Sequence, residues 1–507
     1  MGLLGTLVKS SIDLSQKLQG DSVPAVAEQE EQLRQLLEKA GDTAFGKYYG
    51  FSSMLKSKDI VAAFRKEVPL HTYESIHSRW WKRQQRLPDI TWPGRPKFFA
   101  RSSGTTGKSS KKIPITDDFL QSMRQVGRSM IAVLPEFDFP EHLFESEILM
   151  LSSSANLDEN KRGQQEGEIS GINVSNFPGW YDLFYRPGKE IAVIDDWDER
   201  VARIVKEAPN WNIGAIAGIP SWVLLMLQEI VKGHRLKHIH EIWPNLTVYA
   251  SGGVAFDTYR EDFQKLFSSE VTIMDTYLAS EGFIAYTARP ETMAMRLATS
   301  HGYYFEFIPF DQRGVDDLGN ILDDAEIHTL RDVTLDQEYV LVLSSCAGAW
   351  RYIIGDTVKF TSLEPFEIRI TGRTKFYLNV VGSQLSEEKM DAAIIETAEK
   401  ENCTINEYMV GAIKNQNDEY IHKWIIVTDD PVDENSFQNT LDQILKEANK
   451  NYAVARSKAL KGISVSQITK DTYHGYLQKN GKKGGQVKTP KVMPAEKMKA
   501  FLEFIKG

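Results

Sequence analysis

The 507-residue chain has little cysteine, no long apolar run and no surplus of basic charge, and each shortage removes a class of protein. Its two cysteines, Cys346 and Cys403, make neither a metal-ligand spacing nor a disulfide framework. A reducing cytoplasm is the expected setting, with both thiols acting as small buried hydrophobes. No run approaches the ~18 apolar residues of a membrane span, and the start lacks a basic stretch followed by a long apolar core. Met1-Gly2-Leu3-Leu4-Gly5-Thr6 fits the short, loose myristoylation pattern, a minor signal against an otherwise membrane-free reading. Sixty Lys and Arg against 69 Asp and Glu leave a net charge of −9, which argues against nucleic acid or anionic lipid as a bulk partner. Any anion must be caught by a local site. The exception is 456–491, where nine basic residues (Arg456, Lys458, Lys461, Lys470, Lys479, Lys482, Lys483, Lys488, Lys491) face Asp471 alone, an excess of eight charges.

Low-complexity tracts and solenoid-period repeats are also missing, so the length implies two or three ordinary domains, since single cores stop growing at roughly 250–300 residues. A monomer is expected. Residues 25–41 place Leu33, Leu36 and Leu37 on one face and stop at Gly41, which predicts an amphipathic helix with a glycine C-cap. Short apolar runs at 147–151, 212–217 and 246–250, the second leading into the helical WVLLMLQEIV, predict an α/β sheet with loops at strand ends. The polar stretch 157–168 reads as an exposed loop. From residue 300 the chain turns strand-rich, in GYYFEFIPF, EYVLVLSS, WRYIIGDTVKF and FEIRITGRTKFYLNVV. The last part mixes helices such as 386–400 with strands such as 424–427. The fold class expected is α/β: a large N-terminal domain (1–371) with mixed sheets and a β-rich subdomain, then a small α+β domain (372–507).

One stretch is rich in phosphate-binding chemistry: Arg101-Ser102-Ser103-Gly104-Thr105-Thr106-Gly107-Lys108-Ser109-Ser110-Lys111-Lys112. It contains GKS, yet a Walker A loop needs its first glycine at position 102, which is Ser, and a helix after it. Here strand-like segments flank the loop on both sides. Four more polar segments fall at predicted strand ends. Ser251-Gly252-Gly253 would let backbone approach a flat ligand. Tyr277 and Glu281 put an aromatic face and a carboxylate four residues apart, with Ser280 between them. Asp356 follows Gly355 and suits two ribose hydroxyls. Gly372-Arg373 closes the set. Each alone also fits a structural reading: Tyr277 a core aromatic, Glu281 a solvated acid, Asp356 a turn acid, SGG a tight turn.

Their order carries more than any one of them. SSGTTG, SGG, Y-x-x-S-E, R-Y-x-x-G-D, G-R and a late Lys resemble the core motifs of adenylate-forming enzymes. FRKEVPLHTYESI (64–76), RSSGTTGKSSKKIPIT (101–116), YLASEGF (277–283), GYYFEFIP (302–309), WRYIIGD (350–356) and GGQVKTP (484–490) further resemble the GH3 acyl-acid amido synthetases, over nearly the whole chain. The resemblance implies ATP and Mg²⁺ as cofactors, and a carboxylic acid and an amino acid or other amine as substrates. It implies Ser102, Ser103, Gly104, Thr105, Thr106 and Lys111 or Lys112 on the phosphates, and Glu281 on Mg²⁺. Tyr277 would stack on adenine, Ser280 would help bind the cofactor, and Asp356 with Arg373 would fix the ribose. Lys488 would be the adenylation lysine, delivered by a C-terminal domain that moves about residues 372–375. Ser280 is no nucleophile, because G-x-S-x-G is absent and no His sits near it. Ile219, Trp222 and Val223 are the candidate acyl pocket, or else plain core. Many plant members carry a Lys after the strand corresponding to 377–380, where this chain has Gly382-Ser383-Gln384-Leu385, so a bacterial-type member is implied, with its acid unspecified. An acyl- or aryl-CoA ligase is the nearest alternative, and a nucleotide-binding protein without catalysis a more distant one.

Overall fold

The computed structural model describes residues 24–102, 111–253, 256–316, 319–374, 378, 383, 385, 387–415, 419–458, 460–479, 491–493 and 495–506. The myristoylation-like start, the loop 103–110 and Lys488 lie outside them. Among the described residues no helix is long and apolar enough to cross a membrane.

The strands run in chain order β1 (Phe98–Ser102), β2 (Lys111–Ile115), β3 (Glu147–Leu151), β4 (Asp158–Glu159), β5 (Gln165–Gly167), β6 (Tyr185–Arg186), β7 (Ile213–Gly218), β8 (Val248–Gly252) and β9 (Thr272–Ala279). They continue as β10 (Gly282–Tyr286), β11 (Met295–Leu297), β12 (Tyr303–Pro309), β13 (Glu338–Ser345), β14 (Ala349–Leu363), β15 (Phe366–Arg373), β16 (Glu407–Lys414), β17 (Tyr420–Val427) and β18 (Gly462–Ile468). Eleven of these form one sheet in the order β12-β13-β14-β15-β11-β10-β9-β8-β7-β3-β6. From β6 to β9 the pairing is parallel, and from β9 to β12 it is antiparallel. The strand-rich stretch after residue 300 therefore extends the α/β sheet.

Parallel neighbours need a crossover. Between β7 and β8 it is the helix Pro220–His234, with Pro at its first turn, where no backbone donor is missed, and Arg235 left-handed at its end. Val223, Leu227 and Ile230 recur at helical spacing and are buried against the sheet.

The first helix, Ala25–Ala40, ends as expected by position, but Gly41 is right-handed (φ −56°) and supplies no left-handed cap. Thr43 stops the helix instead. Its Oγ1 donates to Ala40 O at 2.6 Å and accepts from Gly46 N at 3.0 Å, ending one helix and capping the next. On the buried face, Gln29 Nε2 donates to Tyr303 O and its Oε1 accepts from Phe305 N, which covers the open edge strand β12.

The stretch 157–168 is not a free loop. It forms a hairpin of β4 and β5 that joins β1 and β2 in a second sheet of order β2-β1-β5-β4. Its turn is made by Asn160, whose Oδ1 accepts from Arg162 N and Gln164 N, and by Gly163 at φ +73°, a conformation costly for a side chain. Polar composition hid the strands, because the apolar residues that β5 pairs with, Phe98, Phe99 and Ala100, lie far earlier in the chain.

Residues from 378 onward make a three-stranded sheet, β16-β17-β18, covered on both faces. Tyr408, Val410, Trp424 and Ile426 meet the helices Glu387–Glu401 and Glu434–Ala448, while Met409, Ile425 and Val427 meet Ala495–Lys506, the period-2 alternation of a strand buried on both sides. Three residues of the basic segment pair with acids from elsewhere in the chain. Arg456 pairs with Asp442, Lys470 with Asp429, and Lys491 with Asp391. Burial alone would raise the Asp442 carboxyl, but bonds from Arg456, Lys446 and Tyr452 outweigh it and hold the pKa at about 2 against 3.8. That stabilisation is present above pH 3.8 and lost as pH falls toward 2. Asp442→Asn should cost about 2 kcal/mol at pH 7 and flatten the acid limb of a stability-versus-pH curve from urea unfolding.

Candidate active site

A cavity of about 860 Å³ opens where the parallel strands end. Its walls include residues 150–153 at the end of β3, 217–219 at the end of β7, Gly252 and Gly253 at the end of β8, and 275–281 at the end of β9. The carboxyl ends of parallel strands gather loops on one edge, so short segments distant in sequence meet there.

The stems that flank residues 103–110 stand beside this space. β1 and β2 pair Ser102 with Lys111 and Arg101 with Lys112. A return strand follows the loop, as its sequence implies, and no helix does. Adjacent strand residues face opposite sides. Lys111 lines the cavity, its Nζ 5.4 Å from the centre of the Tyr73 ring. Lys112 turns away to Glu166, with Nζ 2.8 Å from Oε1. Glu166, only 4% exposed, also accepts from Arg101 at 3.1 Å and Asn160 at 3.1 Å. One buried carboxylate thus ties both stems to the β4–β5 hairpin. Of the two lysines, Lys111 is the one that borders the cavity.

Opposite stand the acids. Asp356 and Arg373 are cross-strand partners of β14 and β15, with Arg373 Nε 2.8 Å from Asp356 Oδ1. Tyr277 donates its hydroxyl to Asp356 Oδ2 at 2.7 Å and is buried in the main core, although it borders the cavity. It is both a core aromatic and the residue that orients Asp356. Glu281 lies in the turn between β9 and β10, 7% exposed, and forms no ion pair among the described residues. Burial raises its carboxyl above the usual range; Lys111 pulls it down and Asp356 pushes it further up. A buried, unneutralised carboxylate on a cavity wall has the chemistry of a hard-cation ligand. Ser280 borders the cavity beside it.

Two candidates, Ser251 and Val223, sit off the cavity, and a third, Gly252, has a packing reason as well. The Ser251 side chain is fully buried and does not border the cavity, although its carbonyl accepts from Thr276 Oγ1 at 2.7 Å. At Gly252 a Cβ would lie 2.6 Å from Thr276 Oγ1, so strand packing already demands glycine there. Ile219 and Trp222 line the cavity, but Val223 points into the core, where its Cγ2 fills the space left by Gly218. Sequence reading missed the rest of the apolar wall, which includes Met130, Met150, Leu225, Met293 and Met295. They come from separate elements and share no local pattern.

The early segment around His71 does not reach the cavity edge. His71 Nδ1 is 2.8 Å from Trp350 O, and Arg351 bonds Glu306 at 2.8 Å and Val68 O at 2.7 Å. Segments 64–76, 302–309 and 350–356 thus form a buried brace under the strand that carries Asp356.

Comparison with known proteins now decides the family. The family model for the GH3 family N-terminal domain matches residues 15–206, that for the central domain 297–373, and that for the C-terminal domain 388–497. The chain belongs to the GH3 family.

A rice (Oryza sativa subsp. japonica) relative, "Probable indole-3-acetic acid-amido synthetase GH3.9", is 24% identical over 240 residues, 45% of this chain and 52% of that protein. The chain thus spans about half the length of this curated relative. Among solved structures, "GH3.15 acyl acid amido synthetase" superposes with a TM-score of 0.75 at 14% identity, covering 98% of this chain and 96% of that one. A 2-hydroxyisobutyryl-CoA ligase in the postadenylation state follows with a TM-score of 0.55 at 12% identity, covering 94% and 91%. Both likenesses establish the fold.

The GH3 C-terminal part closes one side of the cavity. Tyr259 donates its hydroxyl to Glu407 of β16, and Asn406 Nδ2 donates to Asp262 at 2.8 Å. Glu407 is raised by burial, with the Tyr259 bond and Lys491 opposing. Lys491 Nζ lies 2.6 Å from Asp391 Oδ1 and 5.2 Å from the Tyr408 ring, and its carbonyl accepts from Val410 N at 2.7 Å. The chain is fixed there, three residues after Lys488.

Proposed function

We propose that the protein is an ATP-dependent acyl-acid amido synthetase. The observation that carries this reading is the meeting, in one cavity, of the phosphate-loop stem with Lys111, the lone Glu281, the Asp356–Arg373 pair and an apolar wall containing Trp222. GH3 membership and the relatives' names support it. The acid's carboxylate attacks the α-phosphate of ATP; the bond to pyrophosphate breaks, and an acyl-adenylate forms. An amine, an amino acid in this reading, then attacks the acyl carbon, and AMP leaves.

Such chemistry depends on positioning and charge neutralisation. Lys111, Ser102 and the loop residues Ser103, Gly104, Thr105 and Thr106 hold the phosphates. The backbone of Gly252 and Gly253 lies along the adenine. Asp356, oriented by Tyr277 and Arg373, accepts from the ribose hydroxyls. Glu281 fits Mg²⁺, whose chemistry when bound is to offset charge on the phosphate oxygens. The apolar wall around Ile219 and Trp222 receives the body of the acid. In this reading the domains are 1–371 and 372–507, the second turning about 372–375 between the two half-reactions, and the protein works as a cytoplasmic monomer.

Glu166→Gln should raise the KM for ATP about tenfold, because both loop stems lose a charge-assisted bond. Pyrophosphate exchange at varied ATP measures it, and Glu166→Asp should recover part of the loss. The shared fold of the CoA ligase makes thioester formation the specific second reading. Trapping acyl-adenylate with hydroxylamine across an acid panel, then offering the active acid with amino acids or with CoA, separates them. Amide formation supports the proposal; thioester formation alone replaces it.

A further inference from the structure

The contact by which the C-terminal part closes the cavity is small, polar and set next to the proposed nucleotide site. Three hydrogen bonds cross it. The Tyr259 hydroxyl donates to Glu407, Asn406 Nδ2 donates to Asp262 Oδ2 at 2.8 Å, and Thr404 Oγ1 donates to Glu261 Oε2 at a longer 3.5 Å. One side of the contact is the 3-10 turn Phe256–Tyr259 with the helix Arg260–Leu266, and the other is residues 404–407 at the start of β16. Tyr259, Asp262, Asn406 and Glu407 all border the cavity. Tyr259 stands six positions after Gly253, whose backbone is proposed to lie along the adenine. One short segment therefore meets both the nucleotide and the C-terminal part.

The two faces are prepared differently. Tyr259 is only 7% exposed, and the second oxygen of Asp262 takes Lys265 Nζ at 3.0 Å from the next helical turn, which fixes the carboxylate toward Asn406. Glu407 is half-buried, and the titratable groups around it are Tyr259 across the contact and Lys491, Asp391, Glu387 and Tyr408 on its own side. Burial raises its carboxyl; the Tyr259 bond and Lys491 oppose this, while Asp391 and Glu387 add to it. Docking therefore holds a charged Glu407 at a cost near neutral pH, and that cost offsets part of what the hydrogen bonds contribute. Bonds that water can replace, opposed by a half-buried charge, make a contact that closes and opens rather than a permanent seam.

We propose that Tyr259 and Asp262 are positioning residues that dock the C-terminal part against the cavity for the first half-reaction and release it for the second. Docking seats Lys491 in the cavity wall, three residues after Lys488, the lysine that the family resemblance assigns to adenylation. Release withdraws Asn406, Glu407 and Lys491 from that wall and opens a side by which the amine enters. The proposal rests on the amido synthetase reading and on the turning of the C-terminal part, and it names the residues that set when the turn occurs.

Hydrogen–deuterium exchange of the full chain reads docking without catalysis. In Tyr259→Phe and in Asp262→Asn, peptides spanning 256–267 and 403–410 should exchange about threefold faster or more, while the core strands β7 and β17 keep the protection of the parent. Glu407→Gln retains the acceptor oxygen and removes the buried charge, so the same peptides should exchange more slowly. Opposite shifts from the two ends of one hydrogen bond are a result that local misfolding does not give. If Tyr259→Phe fails to fold, Asp262→Asn carries the test. Single-turnover rates then divide the role between the two steps: Tyr259→Phe should slow acyl-adenylate formation several-fold and leave amide formation from supplied acyl-adenylate at or above the parental rate, whereas Glu407→Gln should slow the second step. Exchange unchanged in all three variants, or both half-reactions slowed alike, would overturn the proposal. Failure of the enzymatic reading looks different: the exchange pattern holds, yet no acid yields hydroxamate.

Discussion

Lys488→Ala should slow acyl-adenylate formation by about 10²–10³, the loss that follows removal of one transition-state charge donor. The structure gives this expectation a mechanical basis. Lys491, buried and paired with Asp391 and Glu387, and bonded through its carbonyl to Val410, anchors the chain just after Lys488 at the cavity side. Lys488 itself lies outside the described residues. Amide formation from chemically supplied acyl-adenylate should be spared, because phosphorus no longer reacts in that step. Single-turnover rates for the two halves check this. Equal loss of both would mean a docking defect, and loss of neither would place Lys488 outside the chemistry.

Glu281→Gln should reduce Mg²⁺-dependent adenylation by roughly 10²-fold, since a charged oxygen ligand becomes neutral at constant size. The same substitution should make the metal-free protein more stable at pH 7. Burial raises the Glu281 carboxyl in the fold, so its favourable contribution is complete below the ordinary glutamate pKa and is lost as pH rises through the raised value. At neutral pH the charged form strains the fold, and Gln removes that strain. Greater stability with lower activity is a combination that misfolding does not produce. Exchange rates across Mg²⁺ concentrations, with melting curves in chelator, read both. A variant that matches the parent at every Mg²⁺ concentration would remove Glu281 from the metal site.

The sequence was most legible where chemistry and local geometry coincide. The SSGTTG stretch between two strands excluded a Walker loop, and β1 and β2 pair across it. The turn acid and the ribose acid were alternatives for Asp356 in sequence; β-register resolves its surroundings by setting it opposite Arg373. Periodicity found the helix at 220–234 but could not tell which face meets the cavity, so Trp222 and Val223 looked alike. Glu166 and the β4–β5 hairpin escaped notice because a polar run without alternation carries no strand signal, and their partners lie some sixty residues earlier. The burial of Arg200 in the helix Trp197–Glu207 was invisible for a different reason. An arginine in an amphipathic helix reads as solvated until the fold buries it.

Labelling the oxygens of the acid tests the central claim most directly. The active acid, carrying ¹⁸O in its carboxylate, is converted to amide with ATP and an amino acid, and the nucleotide product is analysed by mass spectrometry. Attack of the carboxylate on the α-phosphate, then release by the amine, leaves one carboxylate oxygen on phosphorus, so the account predicts AMP bearing a single ¹⁸O. Unlabelled AMP, or ADP with label in inorganic phosphate, would contradict it.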